Sequence, residues 1–131
     1  MNADFFKNVK TIAVVGLSDN PEKYSYQVAA YLKSKGFKII PVNPKVAEVL
    51  GEKAYPNIPS IPKEIQIDVA DIFRRPEEVI NHLKEVLKRG GISTVWLQEG
   101  VGSYEASAFA NEFGINLISD FCIMEVHKNS Q

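Results

Sequence analysis

Gly16, Ser18, Lys23 and Ser25 are the first residues whose types and spacing suit chemistry. They belong to the stretch VVGLSDNPEKYSYQVAAYL, in which an apolar run stops at Gly16, a polar loop follows and a helical pattern begins. Gly16 permits a tight turn and close approach of a ligand. Ser25 is predicted at or near the N-cap of the helix, whose free N–H groups and positive dipole end suit a phosphate. We interpret the loop as a diphosphate-binding loop; the alternative is that Ser25 only caps its helix and Lys23 is solvated.

Lys45 follows the second predicted strand, in the sequence Asn43-Pro44-Lys45. A NAD-binding fold usually carries Asp or Glu at this point, to accept a hydrogen bond from the ribose 2′-hydroxyl. A lysine here instead favours a phosphorylated adenosine over NAD. An ordinary surface lysine is the alternative interpretation.

Two arginines follow the next main strand, in the sequence Phe73-Arg74-Arg75. The donors of a guanidinium group suit a phosphate or the edge of an adenine. The alternative is that both arginines form surface ion pairs with Glu77 and Glu78.

The following strand ends in Gln98, Glu99 and Gly100. Gln98 and Glu99 offer hydrogen-bonding groups to a ligand amide, whereas Gly100 is expected to serve the turn. Trp96, just before them, is expected in the core. Polar or cationic groups therefore follow four predicted strands, and together they indicate a ligand site.

The chain lacks the motifs of several enzyme classes. It has neither a G-x-x-x-x-G-K-[ST] loop nor a G-x-S-x-G elbow. Its two histidines, His82 and His127, show no metal-ligand spacing with carboxylates. Asp71 is expected to have a structural role. The sequence therefore predicts binding and assigns no catalytic residue.

The elements that must position these residues alternate between strand and helix. The predicted strands are 9–15, 37–44, 67–73, 93–100 and 115–119, and the predicted helices are 25–35, 76–91 and 103–114. Pro41 and Pro44 indicate that the second strand lies at an edge or ends early. Residues 46–50 are expected to form one helical turn, residues 51–65 a loop with a short strand around Ala54–Tyr55, and a short tail follows the last strand. The alternation predicts an α/β fold: a Rossmann-like, doubly wound, mostly parallel sheet with helices on both faces, in three layers.

Composition restricts the classes of partner. The chain has 131 residues, so we expect a single domain over 1–131. Its net charge is −1, so we expect no general affinity for nucleic acid or an anionic membrane. It shows no secretory signal and no apolar run long enough to span a bilayer. The single cysteine excludes an internal disulfide framework. These features predict a cytoplasmic protein.

The same segments, taken together, resemble the CoA-binding-domain proteins, a family related to the N-terminal domain of the succinyl-CoA synthetase alpha subunit. The resemblance runs from Thr11 to about Glu125 and rests on VVGLSDNPEKYSYQVAAYL, PVNP, GEKAYPNI, DIFRRPEEV, VWLQEG and SDFC. It implies a Rossmann-like fold that binds coenzyme A (CoA) or an acyl-CoA. The residues that it implies for CoA are Gly16, Leu17, Ser18, Lys23 and Ser25 along the diphosphate; Asn43, Pro44 and Lys45 near the ribose and its 3′-phosphate; Phe73, Arg74 and Arg75 at the adenine and phosphates; and Gln98, Glu99 and Gly100 on the pantetheine side.

The resemblance also limits the expected activity. In the synthetase, catalysis needs a second domain with a phosphorylated histidine and a partner subunit, so we expect CoA binding without ligase activity. The alternatives are an NADP-binding reductase or sensor, and an interaction protein whose Rossmann site is vestigial. A homodimer formed through an edge strand or a helix is compatible with the sequence.

Cys122, in SDFC, lies near the expected path of the pantetheine arm. The preferred interpretation is a small buried cysteine that packs at the end of the sheet. The alternative is a mixed disulfide with the thiol of CoA.

Overall fold

The computed structural model describes residues 3–131. The helices are α1 (Ala3–Lys7), α2 (Tyr24–Ser34), α3 (Val79–Arg89), α4 (Tyr104–Phe113) and α5 (Ile123–Asn129). The strands are β1 (Thr11–Val15), β2 (Lys38–Val42), β3 (Glu48–Val49), β4 (Glu52–Lys53), β5 (Ile67–Ile72), β6 (Ile92–Leu97) and β7 (Leu117–Ser119). Two short 3₁₀ turns cover Ile58–Ser60 and Pro76–Glu78.

Five strands form one parallel sheet in the order β2-β1-β5-β6-β7. The strands are mostly apolar because helices cover both faces of the sheet, as is usual for parallel sheets. Pro41 lies in the edge strand β2. The N–H of Lys38 donates to the carbonyl of Lys10 on the β1 side, and successive N–H groups of a strand point to alternate sides. The position of the N–H that Pro41 lacks, three residues later, therefore faces away from β1. The predicted α/β fold is confirmed.

The helices cover the two faces of the sheet in separate groups. On one face, α3 and α4 pack through residues such as Val79, Leu83 and Ala106. On the other face, α1, α2 and α5 pack through residues such as Leu32 and Ile123. The result is the predicted three-layer arrangement, with Trp96 fully buried in the second group.

The strand order reverses between β1 and β5, since the chain adds β2 on one side of β1 and the later strands on the other. In sheets of this type, the carboxyl ends of the strands diverge at such a point and leave a crevice. This crevice is bordered by residues that follow β1, β2, β5 and β6.

Two segments differ from the sequence prediction. Residues 46–50 form no helical turn: β3 and β4 pair as an antiparallel hairpin across Leu50 and Gly51, both of which have positive φ angles. Such a two-residue turn matches the twist of the strands, and Gly51 adopts it at little cost. The short strand expected near Tyr55 is present only as an isolated bridge to Val42.

The prediction of a short tail after the last strand is also wrong, because residues 123–129 form the helix α5. Ile123 and His127, four residues apart, are buried on the same side of this helix. Trp96 anchors the preceding turn, since its indole N–H donates to the carbonyl of Phe121 at 2.8 Å. Within residues 3–131, none of the helices is long and apolar enough to cross a bilayer.

Candidate functional site

The crevice at the carboxyl ends of the strands is an open groove of about 940 Å³. It crosses the ends of β2, β1, β5 and β6 and begins beside the first turn of α2. Its lining residues are Gly16, Ser18, Lys23, Tyr24, Ser25, Pro44, Lys45, Phe73, Arg74, Arg75, Gln98, Glu99 and Val101. The structure thus brings most of the predicted site residues to one surface.

The loop after β1 is held by the hydroxyl groups of Ser18, within the loop, and Ser25, in α2. The backbone N–H of Ser18 donates to Oγ of Ser25 at 3.1 Å, and Oγ of Ser18 accepts from the N–H of Asn20 at 3.0 Å. Ser25 was predicted at or near the N-cap, but the N-cap residue is Lys23, and Ser25 lies inside the first turn of α2. The hydroxyl of this buried serine therefore holds the loop against the helix and does not cap the helix.

The N-terminus of α2 is open toward the groove. The first N–H groups of an α-helix have no acceptor within the helix, and the N-cap Lys23 supplies none from its side chain. These N–H groups and the ammonium of Lys23 lie on the same border of the groove. An anion placed there would meet both the helix dipole and a cation.

Positive charge continues along the groove through Lys45, Arg74 and Arg75. Across residues 3–131, neither lysine of the groove, Lys23 or Lys45, forms a salt bridge, and neither does Arg75. Arg74 approaches Glu78 only at 3.9 Å. The alternative of ion pairs with Glu77 and Glu78 therefore holds only for Arg74, and the groove lining carries four cations and one carboxylate, that of Glu99.

Three of the predicted residues shape the groove without lining it. Leu17 is fully buried, so only its backbone is near the site. The side-chain N–H of Asn43 donates to the carbonyl of Leu17 at 2.9 Å, and its Oδ1 accepts from the N–H of Lys45 at 2.9 Å. Asn43 thereby joins the loops after β1 and β2. Gly100 lies outside the lining, where Val101 takes part instead.

At the β6 end of the groove, the side chain of Gln98 is buried and makes one hydrogen bond within residues 3–131. Its Oε1 accepts from the N–H of Ile123 at 3.2 Å. Its Nε2 has no hydrogen-bond partner within residues 3–131. A buried amide without an acceptor is costly, so this group is suited to a ligand oxygen. The neighbouring Glu99 is exposed.

Tyr24, like Val101, lines the groove and was missed by the sequence analysis. It is the first residue of α2, is 48% exposed and lines the groove. Its hydroxyl lies 2.7 Å from Sγ of Cys122, and its ring contacts that of Phe73 edge-on. Its place directly after Lys23, at the start of the helix, was the available signal. Cys122 itself is buried behind Tyr24 and is not part of the lining.

The remaining titratable candidates lie away from the groove. His82 hydrogen-bonds to Glu85 at 2.9 Å beside a smaller adjoining cavity of about 120 Å³. His127 is buried among aromatic rings and contacts the hydroxyl of Tyr31 at 2.6 Å. Asp71 is fully buried in β5, and burial raises its pKa well above the ordinary value. Within residues 3–131, no group of His, Cys, Asp and Glu side chains is arranged to hold a metal ion.

Comparison with known proteins adds an independent finding. The sequence pattern of the family described as a CoA-binding domain matches residues 10–128 of this chain. YneT of Bacillus subtilis is 37% identical over 95% of this chain and 90% of its own length. The alpha subunit of an ADP-forming acetate–CoA ligase of Pyrococcus furiosus is 34% identical over 96% of this chain, which spans only 30% of that subunit.

Solved structures agree with the sequence relatives. A structure from Thermus thermophilus has a TM-score of 0.90 and 33% identity, with 98% of this chain and 95% of that chain covered. A hypothetical protein of Pyrococcus horikoshii has a TM-score of 0.89 and 36% identity, with 96% and 87% covered. The fold, the groove and the match over residues 10–128 lead to one conclusion: the chain belongs to the CoA-binding domain family.

Proposed function

We propose that this chain binds coenzyme A, free or acylated, in the groove at the carboxyl ends of its strands. The observation that carries the proposal is the set of unpaired cations beside the uncapped start of α2. CoA has three phosphate groups, and a site for it must neutralise charge at two separate places. Lys23 and Lys45 lie after different strands, and therefore supply charge at two places.

The diphosphate is assigned to the loop Gly16, Leu17 and Ser18, with the first turn of α2 and Lys23. The N–H groups of Gly16 and Ser18 donate to Val42 and Ser25, so the donors for a phosphate are the N–H groups of the first turn of α2 and the ammonium of Lys23. Anions are favoured at such a helix start.

The remaining parts of CoA follow the order of the strands. The ribose and its 3′-phosphate are assigned to Asn43, Pro44 and Lys45, after the edge strand β2. The adenine and phosphates are assigned to Phe73, Arg74 and Arg75, after β5. The pantetheine arm is assigned to Gln98, Glu99 and Gly100, after β6. Strands β2 and β6 are three spacings apart, or about 14 Å, so a ligand that reaches both must be long, as CoA is.

The groove fits such a ligand in size as well as in charge. Its volume of about 940 Å³ is near the upper end of common ligand sites. At the β6 end, the unpartnered Nε2 of Gln98 suits an amide carbonyl of the pantetheine arm.

We further propose that the chain binds CoA without ligating it. Neither His82 nor His127 lines the groove: His82 lines the adjoining cavity, where it hydrogen-bonds to Glu85, and His127 is buried among aromatic rings. The ligase subunit that resembles this chain is more than three times as long as the matched segment. Incubation with a carboxylic acid, ATP or GTP, and CoA should give no acyl-CoA. Turnover by this chain alone would overturn this second proposal and leave the first intact.

Thermal unfolding with CoA, dephospho-CoA, NADP and NAD at matched concentrations tests the binding proposal, on protein shown by mass spectrometry to hold no ligand. A ligand at a hundredfold excess over its dissociation constant stabilises the folded state by about 2.7 kcal/mol. We expect the largest shift with CoA and a smaller one with dephospho-CoA. A shift with NADP alone would support an NADP-binding reductase or sensor instead, and no shift with any of the four would leave the binding proposal without support.

A further inference from the structure

The buried thiol of Cys122 lies directly behind a side chain of the groove. Sγ is 2.7 Å from the hydroxyl of Tyr24, and Tyr24 lines the groove with 48% of its surface exposed. Burial, followed by the contact with Cys122, raises the pKa of the Tyr24 phenol. The phenol therefore keeps its proton, so its O–H is available to donate to a sulfur anion at Cys122. Cys122 is the only cysteine of the chain.

A second side chain points independently to a ligand at the same place. Gln98 borders the groove, is only 4% exposed, and leaves its Nε2 without a partner within residues 3–131. Its Oε1 accepts from the N–H of Ile123, the residue that follows Cys122. An arm that offers a carbonyl oxygen to Nε2 of Gln98 would therefore extend next to Cys122.

Lys45 lies at the β2 end of the groove, whereas the thiol lies behind Tyr24, toward the β6 and β7 side. Lys45 follows the edge strand β2, whereas Gln98 follows β6, and Cys122 follows β7. A ligand with phosphates at one end, amides along its arm and sulfur at the other end fits this order. This is the order of groups in CoA, so the inference rests on the function proposed above.

We propose that Cys122 is a thiol–disulfide exchange site for the disulfide form of CoA. The sulfur anion of Cys122 attacks one sulfur of CoA disulfide, the S–S bond of the ligand breaks, and a bond between Cys122 and one CoA forms. The second CoA leaves as a thiolate and takes up the proton released by Cys122. No other oxidant is required, because one disulfide replaces another. A later thiol reverses the step and returns reduced protein and CoA.

Tyr24 is the positioning residue of this step. Its O–H stabilises the attacking sulfur anion through a charge-assisted hydrogen bond. The anion forms while this contact is in place; the ring, which lies between Cys122 and the groove, then rotates and admits the disulfide. The half-exposed ring has room to do so, and exposed side chains change rotamer within nanoseconds.

Intact-mass measurements on the reduced full chain test the proposal. The chain is incubated separately with CoA disulfide and with pantethine, which has the same arm and S–S bond but lacks the nucleotide. We expect one CoA adduct per chain, reversed by dithiothreitol, at a rate at least tenfold above that of the pantetheine adduct. Cys122→Ser should give no adduct. Equal rates for the two disulfides, or no adduct with CoA disulfide, would overturn the proposal.

The phenol is tested by the pH dependence of the same rate. Tyr24→Phe keeps the ring but removes the O–H, so adduct formation should slow at neutral pH and require a higher pH to recover. Tyr26→Phe, two residues along α2, is the matched control and should leave the profile unchanged. A Tyr24→Phe profile identical to that of the wild type would overturn the role given to the phenol.

Binding of reduced CoA to Cys122→Ser separates this inference from the proposed function. If thermal unfolding shows stabilisation by CoA and the wild-type chain forms no adduct, CoA binding stands and the exchange proposal fails. If CoA stabilises neither protein and both disulfides react equally, both proposals fail.

Discussion

A Cβ at position 16 would collide with the backbone carbonyl oxygen of Phe73, so the ends of β1 and β5 approach more closely than a side chain at Gly16 permits. Gly16 also has a φ of +86°, which favours glycine. Its N–H donates to the carbonyl of Val42 at 2.8 Å. Gly16 thereby fixes the ends of three strands at the point where the sheet order reverses, and the binding loop starts from this fixed point.

We predict that Gly16→Ala lowers the free energy of unfolding by at least about 2 kcal/mol and weakens CoA binding, because the β1 and β5 ends must separate. Urea unfolding and a CoA titration measure the two effects. Gly100→Ala is the stability control: its φ is +82°, but nothing lies within 4 Å of an added Cβ. It should cost only about 1 kcal/mol. Equal losses in the two variants would contradict a constraint from Phe73.

Lys45 provides a test of where the 3′-phosphate binds. We predict that Lys45→Ala weakens CoA binding about tenfold, because the variant loses a hydrogen bond between the ammonium and the phosphate. A hydrogen bond to a charged group contributes about 1.5 kcal/mol. Affinity for dephospho-CoA should change little, because that ligand lacks the phosphate. Isothermal titration with both ligands gives the comparison. Lys38→Ala removes the same charge at the other end of β2 and should alter neither affinity. If Lys45→Ala weakened the binding of dephospho-CoA as much as that of CoA, the 3′-phosphate would not bind at Lys45.

The place of the site could be predicted from the sequence because the fold follows from strand and helix alternation. Once the strands are parallel, their carboxyl ends share one edge, and the residues after them must lie together. Gly16, Lys45, Arg74 and Gln98 were found in this way, without any knowledge of the distances between them.

The finer arrangement depends on contacts between distant parts of the chain. The 2.7 Å contact of Tyr24 with Cys122 joins residues 98 positions apart, which no local pattern reveals. Ser25 was placed at or near the N-cap because serine prefers the N-cap position, but its hydroxyl accepts a hydrogen bond from the N–H of Ser18 instead. The helix α5 has only two turns, and packing against the sheet stabilises it more than its own sequence does.

Asp71 provides a test through the pH dependence of stability. Burial raises its pKa in the folded chain above the ordinary value of 3.8, and neither of its oxygens has a hydrogen-bond partner within residues 3–131. As the pH rises above 3.8, the unfolded chain loses the proton that the folded chain retains, so this residue progressively favours unfolding. Asp71→Asn does not titrate and removes this effect.

The expected result for Asp71→Asn is a stability that improves relative to the wild type as the pH rises from 4 to 8. Urea unfolding of both proteins at each pH measures the difference, and the other titrating groups cancel because the two chains share them. Parallel profiles across this range would contradict a protonated Asp71 in the folded chain.

Arg89 provides the last test, because it is a charged residue that the structure buries in the last turn of α3. Its guanidinium donates to the carbonyls of Ile61, Pro62 and Ile65 at 2.6–3.1 Å, and so holds the proline-rich segment against α3. Arg89→Met removes the guanidinium donor from all three carbonyls, of which that of Pro62 keeps the N–H of Ile65, and we predict a loss of about 3 kcal/mol in the free energy of unfolding. Lys88→Met removes one charge at the adjacent, exposed position and should change stability by less than about 0.5 kcal/mol. If urea unfolding gave similar losses for both variants, the three carbonyl contacts would not stabilise the fold.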